Sequence, residues 1–182
     1  EECGHAFLLV LGREEGMEQA AFELAEELDR ELASIAAHNF QVLGAENIEV
    51  HVGNGVDLLS EIASSEGSVD LVYLDPSRRR SDRTRVFRLE DCTPPLPGIM
   101  PELFTYASNL LIKTSPMLDL TEGVQKLGNV REVHVVGLRN EVRELLWWIQ
   151  RGYGGGTARV ALDLKFPDMP LRFTAEEESG TE

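Results

Sequence analysis

Residues 70 to 88, DLVYLDPSRRRSDRTRVFR, hold six arginines and one proline, with the carboxylate of Asp75 at the end of the apolar run just ahead of them. Asp75 follows an apolar run, so its side chain would sit at the end of a buried strand, placed to accept hydrogen bonds. Pro76 donates no backbone hydrogen and stiffens the loop, so neighbouring carbonyls can be held in one direction. A carboxylate and a loop carbonyl set this way can accept the hydrogens of an amine and aim its nitrogen lone pair. A plain Asp-Pro turn is the competing reading, since both residues favour turns. Arg78, Arg79, Arg80, Arg83, Arg85 and Arg88 follow. Guanidinium groups bind phosphates bidentately and stack on bases. They would equally serve to balance an acidic surface through exposed pairs, each contributing about 0–1 kcal/mol.

A second group is Gly53-Asn54-Gly55 with Asp57. Glycines allow a ligand close to the backbone, and Asn54 or Asp57 could bond a nucleobase or a ribose. A strand-to-helix turn, with Asp57 near a helix start, explains the same residues. Lys113 falls late in the run NLLIKTSP, where it could pair with Asp75 or reach solvent. Asn140-Glu141 reads as a helix cap, and Trp147-Trp148 as core and edge residues. His5, His38, His51 and His134 are scattered, and Cys3 and Cys92 are far apart. No metal-ligand spacing results, so no metal is expected.

Elements able to position these groups can be read from periodicity. Apolar runs at 6–12, 47–55, 69–76, 109–116, 131–138 and 158–166 predict strands, with a further strand beginning near 169. Spacings of three and four from Glu14 to Leu43 predict one long amphipathic helix, stopped at Gly44. Shorter helices are predicted at 56–64, 101–108, 117–127 and 140–152. Strand and helix alternate through most of the chain. That pattern predicts an α/β domain with a mostly parallel sheet and helices on both faces. Ligands of such folds collect at the carboxyl ends of the strands. The tips at Gly53–Gly55, Asp75–Arg78, Lys113–Pro116 and Leu138–Glu141 are therefore the places for chemistry.

Bulk properties narrow the function. The 182 residues carry a net charge of −15, with 42% hydrophobic and 27% charged residues. Such an acidic total argues against indiscriminate nucleic-acid binding, which needs a phosphate-neutralising surface. A local basic patch is still compatible with it. No apolar run approaches the roughly 18 residues of a membrane span. Two cysteines without a disulfide pattern suit a reducing, cytoplasmic setting.

Four stretches carry a resemblance: AAHNFQVLGAENIEVHVGNG, VDLVYLDPSRRRSDRTRVFRLEDC, NLLIKTSPMLDL and VREVHVVGLRNEVRELL. Together they resemble the bacterial class I S-adenosylmethionine-dependent methyltransferase-like family with a C-terminal THUMP-like domain, over residues 27 to 178. The resemblance implies a Rossmann-like methyltransferase core that uses S-adenosyl-L-methionine and acts on RNA. It implies that Asp75 and Pro76 hold the acceptor group and that Arg78, Arg79 and Lys113 lie on the substrate side. Glu27, Gly53, Asn54, Gly55 and Asp57 would lie around the cofactor.

Three features depart from that pattern. The first strand runs into GREEG, where the family pattern has a glycine-rich cofactor loop, and Gly12 and Gly16 do not make one. Glu27 or Asp29 aligns with the acidic position at the end of the second strand, yet Phe22 to Leu28 has a helical pattern. Ser77-Arg78 also replaces the Pro-aromatic pair that follows the Asp-Pro dipeptide. The expected organisation is a methyltransferase-like domain over 1–175, divergent or incomplete over 1–26. Residues 176–182 form a disordered tail or the start of a missing domain associated with RNA binding. The rival expectation is a non-catalytic nucleic-acid or protein binding module that has lost cofactor binding.

Overall fold

The computed structural model describes residues 7–11, 21–26, 30–45, 48–76, 88–92, 95–139, 141–166 and 171–174. In chain order the elements are β1 (Phe7–Leu11), β2 (Ala21–Glu26), α1 (Arg30–Leu43), β3 (Ile48–Gly53), α2 (Gly55–Glu66) and β4 (Val69–Asp75). A 3-10 turn at Leu89–Asp91 precedes α3 (Leu96–Tyr106), β5 (Ala107–Thr114), α4 (Leu120–Leu127) and β6 (Val130–Leu138). The chain ends in β7 (Glu141–Gln150), β8 (Ala158–Asp163) and β9 (Leu171–Thr174). All strands join one sheet in the order β3-β2-β1-β4-β5-β7-β6-β8-β9.

The α/β class is as expected, but the sheet is mixed rather than mostly parallel. The pairs β2–β3, β4–β5 and β6–β8 are parallel, and the rest are antiparallel. The parallel pairs β2–β3 and β4–β5 are each joined through a helix, as a parallel crossover requires. β7 follows β6 after a connection too short for a crossover, so it turns back between β6 and β5.

The core explains the helix positions. Val72, Leu74, Leu110, Ile112, Val133, Leu145, Trp147 and Ile149 are buried on one face of the sheet. Leu59 of α2, Leu96, Met100 and Leu103 of α3, and Leu127 of α4 join the same cluster. The helices α2, α3 and α4 pack in a row, α3 touching both neighbours. The crossover through α1 runs along the sheet in the opposite direction. Right-handedness therefore puts α1 on the other face, where it rests on β3.

Three helix assignments need correction. The predicted helix from Glu14 to Leu43 is strand β2 followed by α1; its residues 14–20 and 27–29 lie outside the described residues. Period-three spacings in AFELAE lose to sheet pairing with β1 and β3. The predicted helix at 140–152 is β7, in which Leu145, Trp147 and Ile149 are buried and alternate with half-buried neighbours. That period of two, between two partner strands, overrides the helix-like start. The helix predicted at 101–108 begins earlier, at Leu96, with a proline in its first turn and Pro101 inside it. Gly44 does end α1, in a left-handed conformation with φ of 73°. The predicted tail 176–182 lies outside the described residues.

Candidate functional site

Register fixes which strand ends share an edge. Glu26 lies opposite Gly53, Phe7 lies opposite both Ala25 and Asp75, and Leu74 lies opposite Ile112. Asp75 and Lys113 are the next residues of β4 and β5, so they face one another at the carboxyl edge. Gly53 is three strands away along that edge, roughly 14 Å at the usual strand spacing.

Alternation decides the face. Val72 and Leu74 of β4, and Leu110, Ile112 and Thr114 of β5, point to the buried core under α2–α4. Tyr73, Asp75, Leu111 and Lys113 therefore point the other way, and all four are half-buried. Lys113 Nζ forms an ion pair with Asp75 Oδ2, and about a fifth of each side chain is accessible (22% and 23%). Asp75 is thus neither turned into the core nor sealed against a helix. Pro76 is buried and closes the strand.

Two residues of this cluster carry no sequence motif. Tyr73 lies two residues before Asp75 on the same face. Its phenol is pushed up to about 12, first by burial, then by the negative charges of Asp75 and Glu144. Glu144 belongs to β7, which neighbours β5 on the side away from β4. Lys113 stands opposite Leu146, two residues from Glu144 on the same strand. The edge thus carries Asp75, Lys113 and Glu144 on three adjacent strands. A strand reading of 140–152 would have placed Glu144 here; the helix reading hid it.

The Gly53–Asp57 group has a clear local role. Asn54 is the N-cap of α2, its Oδ1 accepting from the backbone N–H of Val56 at 2.9 Å and of Asp57 at 3.4 Å. Asp57 is exposed in the first helical turn, where a negative charge complements the helix dipole. Gly55 is buried. A methyl group on Gly53 would meet nothing within 4 Å among the described residues. The structure brings Asp75 to Lys113 and sets Gly53 on the same edge. Glu27, Arg78 and Arg79 lie outside the described residues.

The arginine-rich stretch is anchored on its far side. Leu89 and Cys92 are buried in the core, and Cys92 Sγ lies 3.6 Å from the carbonyl of Arg88. Glu90 pairs at 2.6 Å with Lys126 of α4, which also pairs with Glu122.

β1 matters for the cofactor expectation. It runs antiparallel to β4, with Phe7 at the level of Asp75 and Leu11 at the level of Leu71. The chain following Leu11 therefore leaves from the edge opposite Asp75. A cofactor loop after this strand would need the reverse direction. Among the described residues no three His, Cys, Asp or Glu side chains gather as a metal-ligand set, and no helix is long and apolar enough to cross a membrane.

The chain resembles a "putative methyltransferase" from Porphyromonas gingivalis W83. The two share 32% sequence identity and superpose with a TM-score of 0.72 over 87% of this chain and 40% of the other. The fold is methyltransferase-like, and the chain spans less than half the length of that protein. No family model and no curated protein matches it.

Proposed function

We propose that this methyltransferase-like domain belongs to an S-adenosyl-L-methionine-dependent enzyme acting on RNA. The observation that carries the reading is Asp75: a carboxylate at the carboxyl edge of a central strand, accessible on the face away from α2–α4. S-adenosyl-L-methionine, when bound, supplies an electrophilic methyl group. A nucleoside would approach the β3 tip at the turn formed by Asn54, Gly55 and Asp57, with Glu27 following β2 in the sequence; Val52, rather than Gly53, shares the face of Asp75. The roughly 14 Å from Gly53 to Asp75 suits an extended ligand with its nucleoside at one end.

The chain's own contribution is positioning. Asp75 accepts a hydrogen from the acceptor amine and the Pro76 carbonyl accepts another, which fixes the nitrogen lone pair. Arg78 and Arg79 contact phosphate, and Lys113 works from the substrate side through its pairing with Asp75. Holding two reactants in line supplies much of the rate in such a transfer.

A second reading is a non-catalytic binding module. The antiparallel course of β1 favours it, because the chain after Leu11 departs from the wrong edge for a cofactor loop. Calorimetric titration with S-adenosyl-L-methionine separates the two. Saturable heat supports the enzyme reading; no heat at millimolar ligand, with RNA binding retained, supports the module.

A further inference from the structure

We propose that Lys113 is a resident occupant of the acceptor seat, an internal ammonium that an incoming amine must displace from Asp75. The inference rests on the reading of Asp75 as the acceptor-holding residue and deepens it. The ion pair is set by the sheet: β4 and β5 are parallel, their registers place Asp75 and Lys113 opposite one another, and both side chains leave on the same face. A lysine ammonium presents three N–H donors and no acceptor. It therefore satisfies the carboxylate as an exocyclic amine of a nucleobase would, and with a full charge besides.

Glu144 stands on β7, on the far side of β5 from Asp75 and on the same face, and Tyr73 sits two residues back from Asp75 along β4. The side chain is not sealed, since 22% of it is accessible. A substrate can therefore reach the pair. The consequence is selectivity: while Lys113 engages Asp75, an amine-bearing base gains little over one bearing a carbonyl at the same position.

The test compares binding of adenosine monophosphate and inosine monophosphate, which differ there by an amine against a carbonyl oxygen. Wild-type chain is expected to bind both alike. Lys113→Met frees the carboxylate, which then accepts from the amine and repels the carbonyl oxygen, giving a preference of about tenfold or more for adenosine monophosphate. The double variant Asp75→Asn, Lys113→Met is expected to lose that preference. Lys113→Leu, which likewise carries no N–H donor, serves if the Met variant fails to fold. An unchanged ratio in the single variant, or a preference surviving in the double, overturns the inference while leaving nucleotide binding standing. A full preference already present in the wild type overturns it but supports the acceptor reading. No binding of either nucleotide by any form at millimolar concentration overturns both together.

Discussion

Trp147 and Thr114 are joined across two adjacent strands, the indole Nε1 donating to Thr114 Oγ1 at 2.8 Å. Both are buried, and Thr114 is the last residue of β5. Trp147 pairs in register with Ile112, so the bond runs diagonally toward the strand tip. It fixes the core side of the tip whose preceding residue, Lys113, faces the candidate site.

Thr114→Val keeps the shape and removes the acceptor. The indole N–H is then buried without a partner, which costs about 1–3 kcal/mol. Thr114→Ser keeps the oxygen and loses only a methyl group. The urea midpoint should fall further for Val than for Ser, at unchanged slope. Equal losses would mean that packing, not the hydrogen bond, carries the contribution.

Gly123 of α4 sets a contest between two effects. Helix propensity favours Ala over Gly by about 1 kcal/mol. A Cβ at this position would overlap the Trp147 ring, with Cζ2 at 2.9 Å. Trp147 is fully buried and held by Thr114, so it cannot retreat cheaply. Overpacking, at about 1–3 kcal/mol, should win, and Gly123→Ala should lower the melting temperature. In a Trp147→Phe background the penalty should shrink, a coupling that a double-mutant cycle reads directly.

The strand tips were legible because short apolar runs ending in Gly or Pro have few other readings. VDLVYLDP and NLLIKTSP appear as β4 and β5 within two residues of their predicted bounds. The turn at Asn54 was equally readable from its residue types. β7 was not: NEVRELLWWIQRG satisfies a helix pattern locally, and only the two flanking strands impose the period of two. β2 was hidden similarly, since AFELAE continues the spacing of α1. The pairing of Lys113 with Asp75 was one of the readings open in the sequence; what the sequence could not display is that Tyr73 and Glu144 share their face. The four residues come from three strands, and a chain-order reading has no access to register across a sheet.

Lys126 offers a test of how the arginine-rich stretch is anchored. Its ammonium bonds Glu122 within α4 and Glu90 in the 3-10 turn. The bond from Lys126 holds the Glu90 carboxyl below its ordinary value. Glu122, and then Glu90, raise Lys126 above its own. A lowered carboxylate contributes stability above its unfolded pKa, and that contribution is lost as pH falls through the folded one. A raised lysine contributes below its unfolded pKa, and loses this as pH rises through the folded one. The tether is therefore intact between the acid carboxylate range and the alkaline lysine range. Lys126→Met should speed amide exchange at Leu89–Cys92 near neutral pH with little change in global unfolding. The difference from wild type should shrink in high salt.

Tyr73 reports on the charges around it. Three tyrosines are present, Tyr73, Tyr106 and Tyr153, and Tyr73 is pushed from 10.0 to about 12 by burial, then Asp75, then Glu144. A spectrophotometric titration, compared with that of Tyr73→Phe, should show the Tyr73 phenol ionising late. A phenol whose pKa is raised on folding contributes stability fully below its unfolded value of 10.0, and this is lost as pH climbs toward about 12. Tyr73→Phe should therefore flatten the alkaline fall in stability over that window. Asp75→Asn removes one charge and leaves burial in place, so the late phenol should move only part of the way back toward its ordinary value. If it returned fully, charge rather than burial would be the dominant cause, and Tyr73 would lie in a wetter setting than its half-buried place on β4 implies.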